Sequence, residues 1–384
     1  MKIAFFISDH GFGHIMRNVA VIDAISRLGH EVVLITGDRQ MTMARQYLQR
    51  PIQEIIRNTD AGLEVIPGTL SIDTKATVRA VRRHLLRWPE LMELAKELHA
   101  DRFVADIVPW ALLAAKETGT PCFLMASFTW PDQYEWFLPE ELLAHYQRAF
   151  DAADSVLMYD LANPPTKKRY PVHTDIGFTA RPFHEDEAAR IRARHRRKIV
   201  FLSLGGSNIG LDFEIDVSGL PYDFISAGVL HLAGANAETL DPSVDNTQDY
   251  VKAADFCIAK AGWTTVAEIM LAGVPAAFLE RPDTPEDTMT ITELKRRKAA
   301  ISISTEDLKN MSKVMERLEQ HSGVEQRYQN NYMKIAMEIT GQTAMSSTVS
   351  PPAPHTRYRY NPDPPTGQAQ TPEAHPSVPD HKRR

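Results

Sequence analysis

Two histidines and two glycines lie close together near the start of the chain, in the segment SDHGFGHIMRN at residues 8–18. An apolar run, MKIAFFI, precedes this segment, and a helix-like stretch, VAVIDAISRLGH, follows it. Gly11 and Gly13 permit positive φ angles and a close approach of the backbone, and they place His14 at the start of the helix. A helix N-terminus favours anions and disfavours an imidazolium, so we expect a neutral His14 able to act as a base. The alternative is a glycine turn with a solvated histidine.

Two further segments have the same order of strand, glycine turn and polar residues. In LSLGGSN, residues 202–208, successive N–H groups of Gly206, Ser207 and Asn208 form a candidate anion nest, with an ordinary turn as the alternative. In DFCIAKAGWTTVAEIMLAGVP, residues 255–275, Glu268 lies in the helix that follows the turn. A carboxylate there can accept hydrogen bonds from vicinal hydroxyls, such as those of a ribose, or simply complement the helix dipole.

The elements that position these segments alternate between strand and helix patterns. The first half predicts strands at KIAFFIS, EVVLIT, GLEVIPG, DRFVADIV, PCFLMAS and SVLMYD, a helix over 39–57, and a long basic helix over 75–99 interrupted at Pro89. The alternation restarts at KIVFLSLGGSN. The sequence therefore predicts an α/β fold with two Rossmann-like domains, each built on a parallel sheet. We assign residues 1–165 to the first domain, 166–196 to a connection, 197–343 to the second domain and 344–384 to a proline-rich disordered tail.

Composition excludes several classes of protein. The net charge of −6 gives no reason to expect nucleic acid as a partner. The two cysteines, Cys122 and Cys257, lie in apolar runs, and no cluster of residue types predicts a metal site. The N-terminal apolar run is too short for a signal peptide, and no stretch is long enough to span a membrane, so we expect a cytoplasmic protein.

Together, HGFGHIMR, LSLGGSN and KAGWTTVAEIMLAGVP resemble the motifs of nucleotide-sugar glycosyltransferases with the GT-B fold. The resemblance covers roughly residues 1–343 and is most similar to family 28, which includes the lipid II-forming N-acetylglucosaminyltransferases. It implies two Rossmann-like domains that face a cleft, with the acceptor held mainly by the first and the donor nucleotide mainly by the second. It also implies a UDP-sugar donor and no cofactor.

The resemblance assigns roles to individual residues. Glu268 would hold the ribose hydroxyls, and Glu286 and Asp287 would lie near the donor sugar or its phosphates. His14, with Gly11 and Gly13, would face the reacting centre. The residues expected around the diphosphate are Gly205, Gly206, Ser207, Lys260, Gly262, Trp263 and Thr264.

The chemistry expected of such a site is metal-independent, because helix N-termini and loop amides neutralise the leaving diphosphate. His14 would take the proton of the acceptor hydroxyl, oriented by Asp106 at a strand end, with Asp9 as the rival and a helix cap as the alternative role of Asp106. Many retaining GT-B enzymes carry a glutamate eight positions before the ribose ligand. Lys260 stands there in this chain, which favours inversion and places a cation near the diphosphate.

Alternatives remain at this point. The GFGHIMR loop also resembles that of nucleotide-sugar hydrolases of pseudaminic acid synthesis, in which the histidine would activate water. The aromatic stretch 127–146 favours a sizeable pocket for a small-molecule, natural-product or lipid-linked acceptor, and hence transfer. A non-catalytic nucleotide-sugar-binding protein is the third interpretation. The basic residues of 75–99 form a solvated face or, alternatively, touch the inner face of a membrane as a peripheral contact.

Overall fold

Seven parallel strands build the first sheet of the computed structural model, which describes residues 1–66, 71–204, 213–228, 230–281, 284–321 and 328–342. The strands are β1 (Lys2–Ile7), β2 (Glu31–Thr36), β3 (Gln53–Ile56), β4 (Arg102–Asp106), β5 (Cys122–Ala126), β6 (Ser155–Tyr159) and β7 (Thr174–Gly177). Their order in the sheet is β3-β2-β1-β4-β5-β6-β7. The central strands β1 and β4 are apolar and buried except at their terminal residues, because helices cover both faces of the sheet.

Eight helices follow or connect these strands. They are α1 (Gly13–Arg27), α2 (Asp38–Tyr47), α3 (Thr74–Leu85), α4 (Trp88–Glu97), α5 (Pro109–Thr118), α6 (Trp130–Tyr134), α7 (Glu140–Phe150) and α8 (Pro164–Arg169). The predicted interruption of the basic helix is confirmed, because α3 ends at Leu85 and Pro89 occupies the first turn of α4. Proline is tolerated there since the first N–H groups of a helix have no partner within the helix.

The second sheet has six parallel strands in the order β12-β10-β8-β13-β14-β15, and β9 and β11 pair separately. The strands are β8 (Lys198–Ser203), β9 (Ile215–Asp216), β10 (Tyr222–Ala227), β11 (Leu232–Ala233), β12 (Ala237–Thr239), β13 (Phe256–Lys260), β14 (Ala276–Leu279) and β15 (Ile301–Ile303). The helices of this half are α9 (Glu185–Ala193), α10 (Thr247–Ala253), α11 (Trp263–Ala272), α12 (Pro285–Arg296), α13 (Met311–His321) and α14 (Tyr332–Thr340). A 3₁₀ turn lies at Asp307–Lys309.

The predicted α/β fold with two Rossmann-like parallel sheets is thus confirmed. In each sheet the strand order reverses direction beside the first strand of that half, between β1 and β4 and between β8 and β13. Ligands of open α/β sheets bind in the crevice beyond the carboxyl ends of the strands at such points. The loops after β1, β4 and β13 are therefore the described ones expected to build a site, and most of the loop after β8, residues 205–212, lies outside the described part of the chain.

The two halves pack together along α1. This helix contacts α11 of the second half, and α14, the last described helix, returns to pack against it. One apolar core consequently contains Ile22 and Ile25 of α1 together with Ile335 and Ile339 of α14. The segment 166–196 contains β7, which extends the first sheet, and α9, which precedes the second; the domain boundaries given above stay predictions.

One strand prediction was wrong. The strand expected at residues 62–68 is absent over 62–66, where only Val65 forms an isolated antiparallel bridge, to Ile72. The edge strand is instead β3, which falls within a stretch predicted as helix. Residues 67–70 and the predicted tail from 344 onwards lie outside the described part of the chain.

No helix in the described ranges is long and apolar enough to cross a membrane. The basic side chains of α3 at Lys75, Arg79, Arg82 and Arg83 are exposed, and Leu86 beside them is 82% exposed. A peripheral membrane contact through this face remains a prediction.

Candidate functional site

The loop between β1 and α1 presents His14 at the start of the helix. Gly11 has a φ of 71°, a left-handed conformation that glycine adopts without strain. The side-chain amide of Gln40 donates to the carbonyl oxygens of Asp9 and Gly11, at 2.6 and 2.9 Å, and so holds the loop in shape. His14, in the first turn of α1, is buried with 6% of its surface exposed.

Asp106 orients His14. It is the last residue of β4, has no exposed surface, and lies with Oδ1 2.8 Å from Nδ1 of His14. An ionised carboxylate only accepts, so this hydrogen bond favours the tautomer in which Nδ1 carries the proton and Nε2 keeps the free electron pair. Nη2 of Arg17 also lies 3.0 Å from Nδ1, and its stronger bond is the one to Oδ1 of Asp106. Burial opposes the charge on Asp106, but Arg17 and His14 outweigh burial and lower the pKa of the carboxyl group. Burial, opposed by Asp106, lowers the pKa of His14 below its ordinary value, so the ring is a neutral base.

Asp9 does not fill this role. Its carboxylate accepts hydrogen bonds from the side-chain amide of Asn58 at 2.7 Å and the backbone N–H of Asp60 at 3.3 Å. It acts on His14 only through longer-range electrostatics. Of the two candidates for orienting the histidine, the structure pairs Asp106 with it.

Sequence reasoning missed Arg17, which lies one helical turn after His14. Its Nε donates to Oδ2 of Asp106 at 2.7 Å, Nη2 donates to Oδ1, and Nη1 donates to the hydroxyl of Ser127 at 3.1 Å. The guanidinium stacks 4.5 Å from the ring of Tyr159 and 5.4 Å from that of Trp263. The sequence pattern that could have indicated Arg17 is its position three residues after His14, since residues three apart lie on the same face of a helix.

Asn18 completes the environment of Asp106. Its amide donates to Oδ2 of Asp106 at 2.5 Å and to the carbonyl oxygen of His14 at 2.8 Å. Asp106 is therefore a fully hydrogen-bonded buried carboxylate rather than a helix cap, since no side-chain cap is formed at the start of α5.

The start of α11 meets the start of α1 directly. The hydroxyl of Thr264 donates to the carbonyl oxygen of Gly13 at 2.8 Å, and the indole N–H of Trp263 donates to the carbonyl oxygen of Asp160 at 2.8 Å. A Cβ at Gly13 would lie 3.3 Å from the Thr264 hydroxyl, so glycine permits this close approach. The structure thus brings Gly13, His14, Trp263 and Thr264 together. Gly262 forms the N-cap of α11.

A second group of charges lies where β13 ends and α12 begins. Asp287 is buried and accepts from Arg281 at 3.0 Å, yet burial raises its pKa. Burial lowers the pKa of Lys260, the last residue of β13, and Arg281 lowers it further. Burial and the charge of Asp287 raise the pKa of Glu286 to about 7, against the opposing effect of Arg17 and Arg281. This coupling to Arg17 indicates that Glu286 faces the His14 cluster.

Glu268 lies in the second turn of α11 and is buried in an ion pair. Its Oε1 accepts two hydrogen bonds from Arg181, from Nη2 at 2.8 Å and from Nε at 3.1 Å. No sequence pattern indicated this partner, which is 87 residues away and lies between β7 and α9. The predicted Gly205, Gly206 and Ser207 lie outside the described residues.

Most rings of the aromatic stretch 127–146 belong to the core. Trp130, Tyr134 and Tyr146 are fully buried, and Trp130 stacks on Tyr134 with 5.1 Å between ring centroids. Phe128 is buried too, and its ring lies 5.8 Å from that of His14, whereas Trp136 is 56% exposed. The buried rings support the His14 loop, and an acceptor pocket lined by this stretch stays a prediction.

Comparison with known proteins identifies the architecture. Residues 235–342 match the glycosyltransferase family 28 C-terminal domain, and residues 1–128 match a domain of glycosyl transferase family 1. The chain belongs to the GT-B glycosyltransferases. Within the described ranges, no group of histidine, cysteine, aspartate and glutamate side chains of this glycosyltransferase is arranged to hold a metal ion.

Curated relatives of this glycosyltransferase are distant in sequence. L-arabinokinase of Arabidopsis thaliana is 25% identical over 303 residues, which cover 73% of this chain but only 28% of that protein. An uncharacterized glycosyltransferase of Methanosarcina acetivorans is 24% identical over 321 residues, covering 74% of this chain and 80% of its own.

Solved structures share the fold at still lower identity. The glycotransferase of kitacinnamycin superposes with a TM-score of 0.58 and 17% identity, covering 89% of this chain and 99% of its own. UGT89C1 of Arabidopsis thaliana complexed with UDP has a TM-score of 0.57 and 13% identity, covering 88% of this chain and 94% of its own. At this identity the likeness shows the GT-B fold alone.

Proposed function

We propose that this glycosyltransferase moves a sugar, with inversion, from a UDP-sugar to the hydroxyl group of an acceptor, using His14 as the base. The hydrogen bond of 2.8 Å between Nδ1 of His14 and Asp106 carries the proposal, because it fixes the proton on one ring nitrogen and leaves Nε2 able to accept another. The UDP complex of a structural neighbour supports the choice of nucleotide.

In the proposed reaction, Nε2 of His14 takes the proton of the acceptor hydroxyl. The acceptor oxygen forms a bond to the anomeric carbon while the bond from that carbon to the diphosphate oxygen breaks. UDP leaves with the bonding electron pair, and the configuration at the anomeric carbon inverts. Asp106 stabilises the imidazolium that forms and stays ionised throughout.

Charges of the second half would receive the leaving diphosphate. Lys260 and Arg281 supply positive charge near the N-terminus of α12, and the N-terminus of α11 adds unpaired N–H groups at Trp263 and Thr264. Together with the predicted loop of Gly205, Gly206 and Ser207, these groups could neutralise the diphosphate without a metal. Glu286 and Asp287 would lie beside the donor sugar.

A cavity lies beside the second group of charges. A cleft of 480 Å³ is formed between residues 161–167 and the exposed face of α12, including Thr288 and Met289. This volume falls within the range of small-molecule pockets, about 300–1,000 Å³. No residue of the His14 cluster lines the cleft, so the choice between transfer and hydrolysis rests on the product assay.

The test is incubation with a panel of UDP-sugars, with and without a mixture of hydroxylated acceptors, followed by chromatography of UDP, free sugar and glycosides. Acceptor-dependent UDP release that is lost in His14→Ala supports the proposal. Release of free sugar that does not depend on acceptor assigns hydrolysis instead. Binding of UDP without any turnover identifies a non-catalytic binding protein.

A further inference from the structure

Arg181 joins three parts of the molecule at one buried point. It lies in the segment between β7 and α9, where the chain passes from the first sheet to the second, and only 5% of its surface is exposed. The guanidinium is packed against the ring of Tyr47, the last residue of α2, at 4.9 Å. Such a position is unusual for arginine unless every donor is used.

All five N–H donors of Arg181 are used. Nη1 donates to the hydroxyl of Tyr47 at 2.8 Å and to the carbonyl oxygen of Asp245 at 2.6 Å. Nη2 donates to the hydroxyl of Thr247 at 3.1 Å and to Glu268, and Nε donates to Glu268 as well. The hydroxyl of Tyr47 in turn donates to the carbonyl oxygen of Asp245. These hydrogen bonds hold the planar guanidinium group in one orientation between α2, the start of α10 and α11.

The two bonds to Glu268 reach the same oxygen. Both Nε and Nη2 donate to Oε1, and Oε2 accepts no hydrogen bond from any residue within the described ranges. The side chain of Glu268 is nevertheless 94% buried, as its exposed fraction is 6%. Oε2 is not among the fully buried side-chain atoms that lack a partner, so the little exposed surface of Glu268 leaves this oxygen accessible to a ligand that brings its own hydroxyl groups.

We propose that Arg181 is a positioning residue for the donor nucleotide: it holds Glu268 through Oε1 so that Oε2 accepts the hydroxyl groups of the ribose. This inference rests on the proposed function, which assigns the ribose to Glu268. Through Tyr47, the same guanidinium ties the ribose ligand to the first half of the chain. Lysine cannot replace it, since a single ammonium group cannot reach four partners in fixed directions.

The experiment is calorimetric titration with UDP and with 2′-deoxy-UDP, which lacks one ribose hydroxyl. The ratio of the two dissociation constants measures recognition of that hydroxyl, whereas a general loosening of the fold weakens both ligands alike. In the wild type we expect 2′-deoxy-UDP to bind about tenfold more weakly, the loss expected for one hydrogen bond to a charged group. Glu268→Gln and Arg181→Lys should each reduce the ratio to about twofold or less.

Arg190→Lys is the matched control. Arg190 lies nine residues further on and is exposed, and its one ion pair among the described residues is with Glu187 of its own helix, at 2.7 Å. Its replacement should leave both dissociation constants unchanged. Where Arg181→Lys does not fold, Tyr47→Phe takes its place: it removes one anchor of the guanidinium and should lower the ratio by about threefold.

The outcomes separate this inference from the proposed function. A ratio that falls in Glu268→Gln but stays at the wild-type value in Arg181→Lys, or in Tyr47→Phe when that variant is used, overturns the role of Arg181 and leaves the ribose assignment intact. An equal weakening of both ligands in Arg181→Lys assigns the residue a structural role only. Absence of UDP binding in the folded wild type overturns both, whereas tight UDP binding with a ratio of one overturns the ribose assignment and the role of Arg181 but leaves the proposed transfer intact.

Discussion

Replacing Arg17 by methionine is expected to destabilise the folded chain by about 3–5 kcal/mol, because it breaks a buried ion pair and leaves one charge behind. Asp106 has no exposed surface, and Arg17 supplies donors to both of its oxygens. Without them the carboxylate keeps Asn18 and His14 as partners but loses the only formal positive charge that it contacts among the described residues. Methionine retains part of the packing against Tyr159, so the lost charge dominates the effect.

Urea denaturation at pH 7 measures this loss, and the same helix provides the control. Arg27 pairs with Asp23 at 2.7 Å, but both side chains are partly exposed. Arg27→Met should therefore cost about 1 kcal/mol or less. The double variant Arg17→Met/Asp106→Asn removes both charges and should recover most of the lost stability. The reasoning is refuted if Arg17→Met costs no more than Arg27→Met, or if the double variant is no more stable than Arg17→Met.

The difference in stability between the wild type and Arg17→Met should also depend on pH. In the wild type, Arg17 and His14 outweigh burial and keep the pKa of Asp106 below its ordinary value. The ionised carboxylate therefore contributes its full stability at any pH above the ordinary pKa of an aspartate. This contribution is lost only as the pH falls through the lower pKa of the folded state. In Arg17→Met, burial is left as the main influence and favours the neutral acid, so protonation relieves the variant. The stability gap between wild type and Arg17→Met should therefore narrow from pH 7 to pH 4, and a gap that widens would contradict the assignment.

Three further predictions concern the proposed reaction. His14→Ala should leave UDP affinity within about twofold of wild type and lower turnover by about 10²–10⁴-fold, as for loss of a general base; equal losses of binding and turnover would contradict its role. Glu268→Ala should weaken UDP binding by about 1–3 kcal/mol in calorimetry, and unchanged affinity would argue against a ribose contact. The pKa of Glu286 is raised to about 7 by burial and by Asp287, so its carboxylate becomes a better acceptor for a sugar hydroxyl as pH rises from 6 to 8. The affinity for a UDP-sugar should therefore rise more steeply over that range in the wild type than in Glu286→Gln; the same pH dependence in both proteins would count against a donor-sugar contact.

The fold was predictable because its signals are local. Apolar strands that end in glycine turns and lead into helices mark β1 and β13, an apolar run before a glycine pair marks β8, and such turns mark the strand ends where sites form. The pairing of His14 with Asp106 was expected from the resemblance to related sugar transferases, and the structure shows why it forms, since His14 follows β1 and Asp106 ends the neighbouring strand β4.

What was missed depends on distant partners or weak patterns. The edge strand β3, with the sequence QEII, is mostly exposed and has little apolar alternation, whereas the stretch at 62–66 is more apolar but does not join the sheet. Arg17 and Arg181 look like surface charges in the sequence, and only Asp106 and Glu268, 89 and 87 residues away, make their burial favourable. Likewise the rings of Trp130 and Tyr134 suit either a pocket or a core, and only packing decides between them.

The central claim is that this glycosyltransferase uses a UDP-sugar, and calorimetric titration of the purified protein with UDP, alongside GDP, TDP and NADH, tests it most directly. The account predicts selective binding of UDP that is weakened in Glu268→Ala and retained in His14→Ala. Failure of the folded protein to bind any of the nucleoside diphosphates would contradict it.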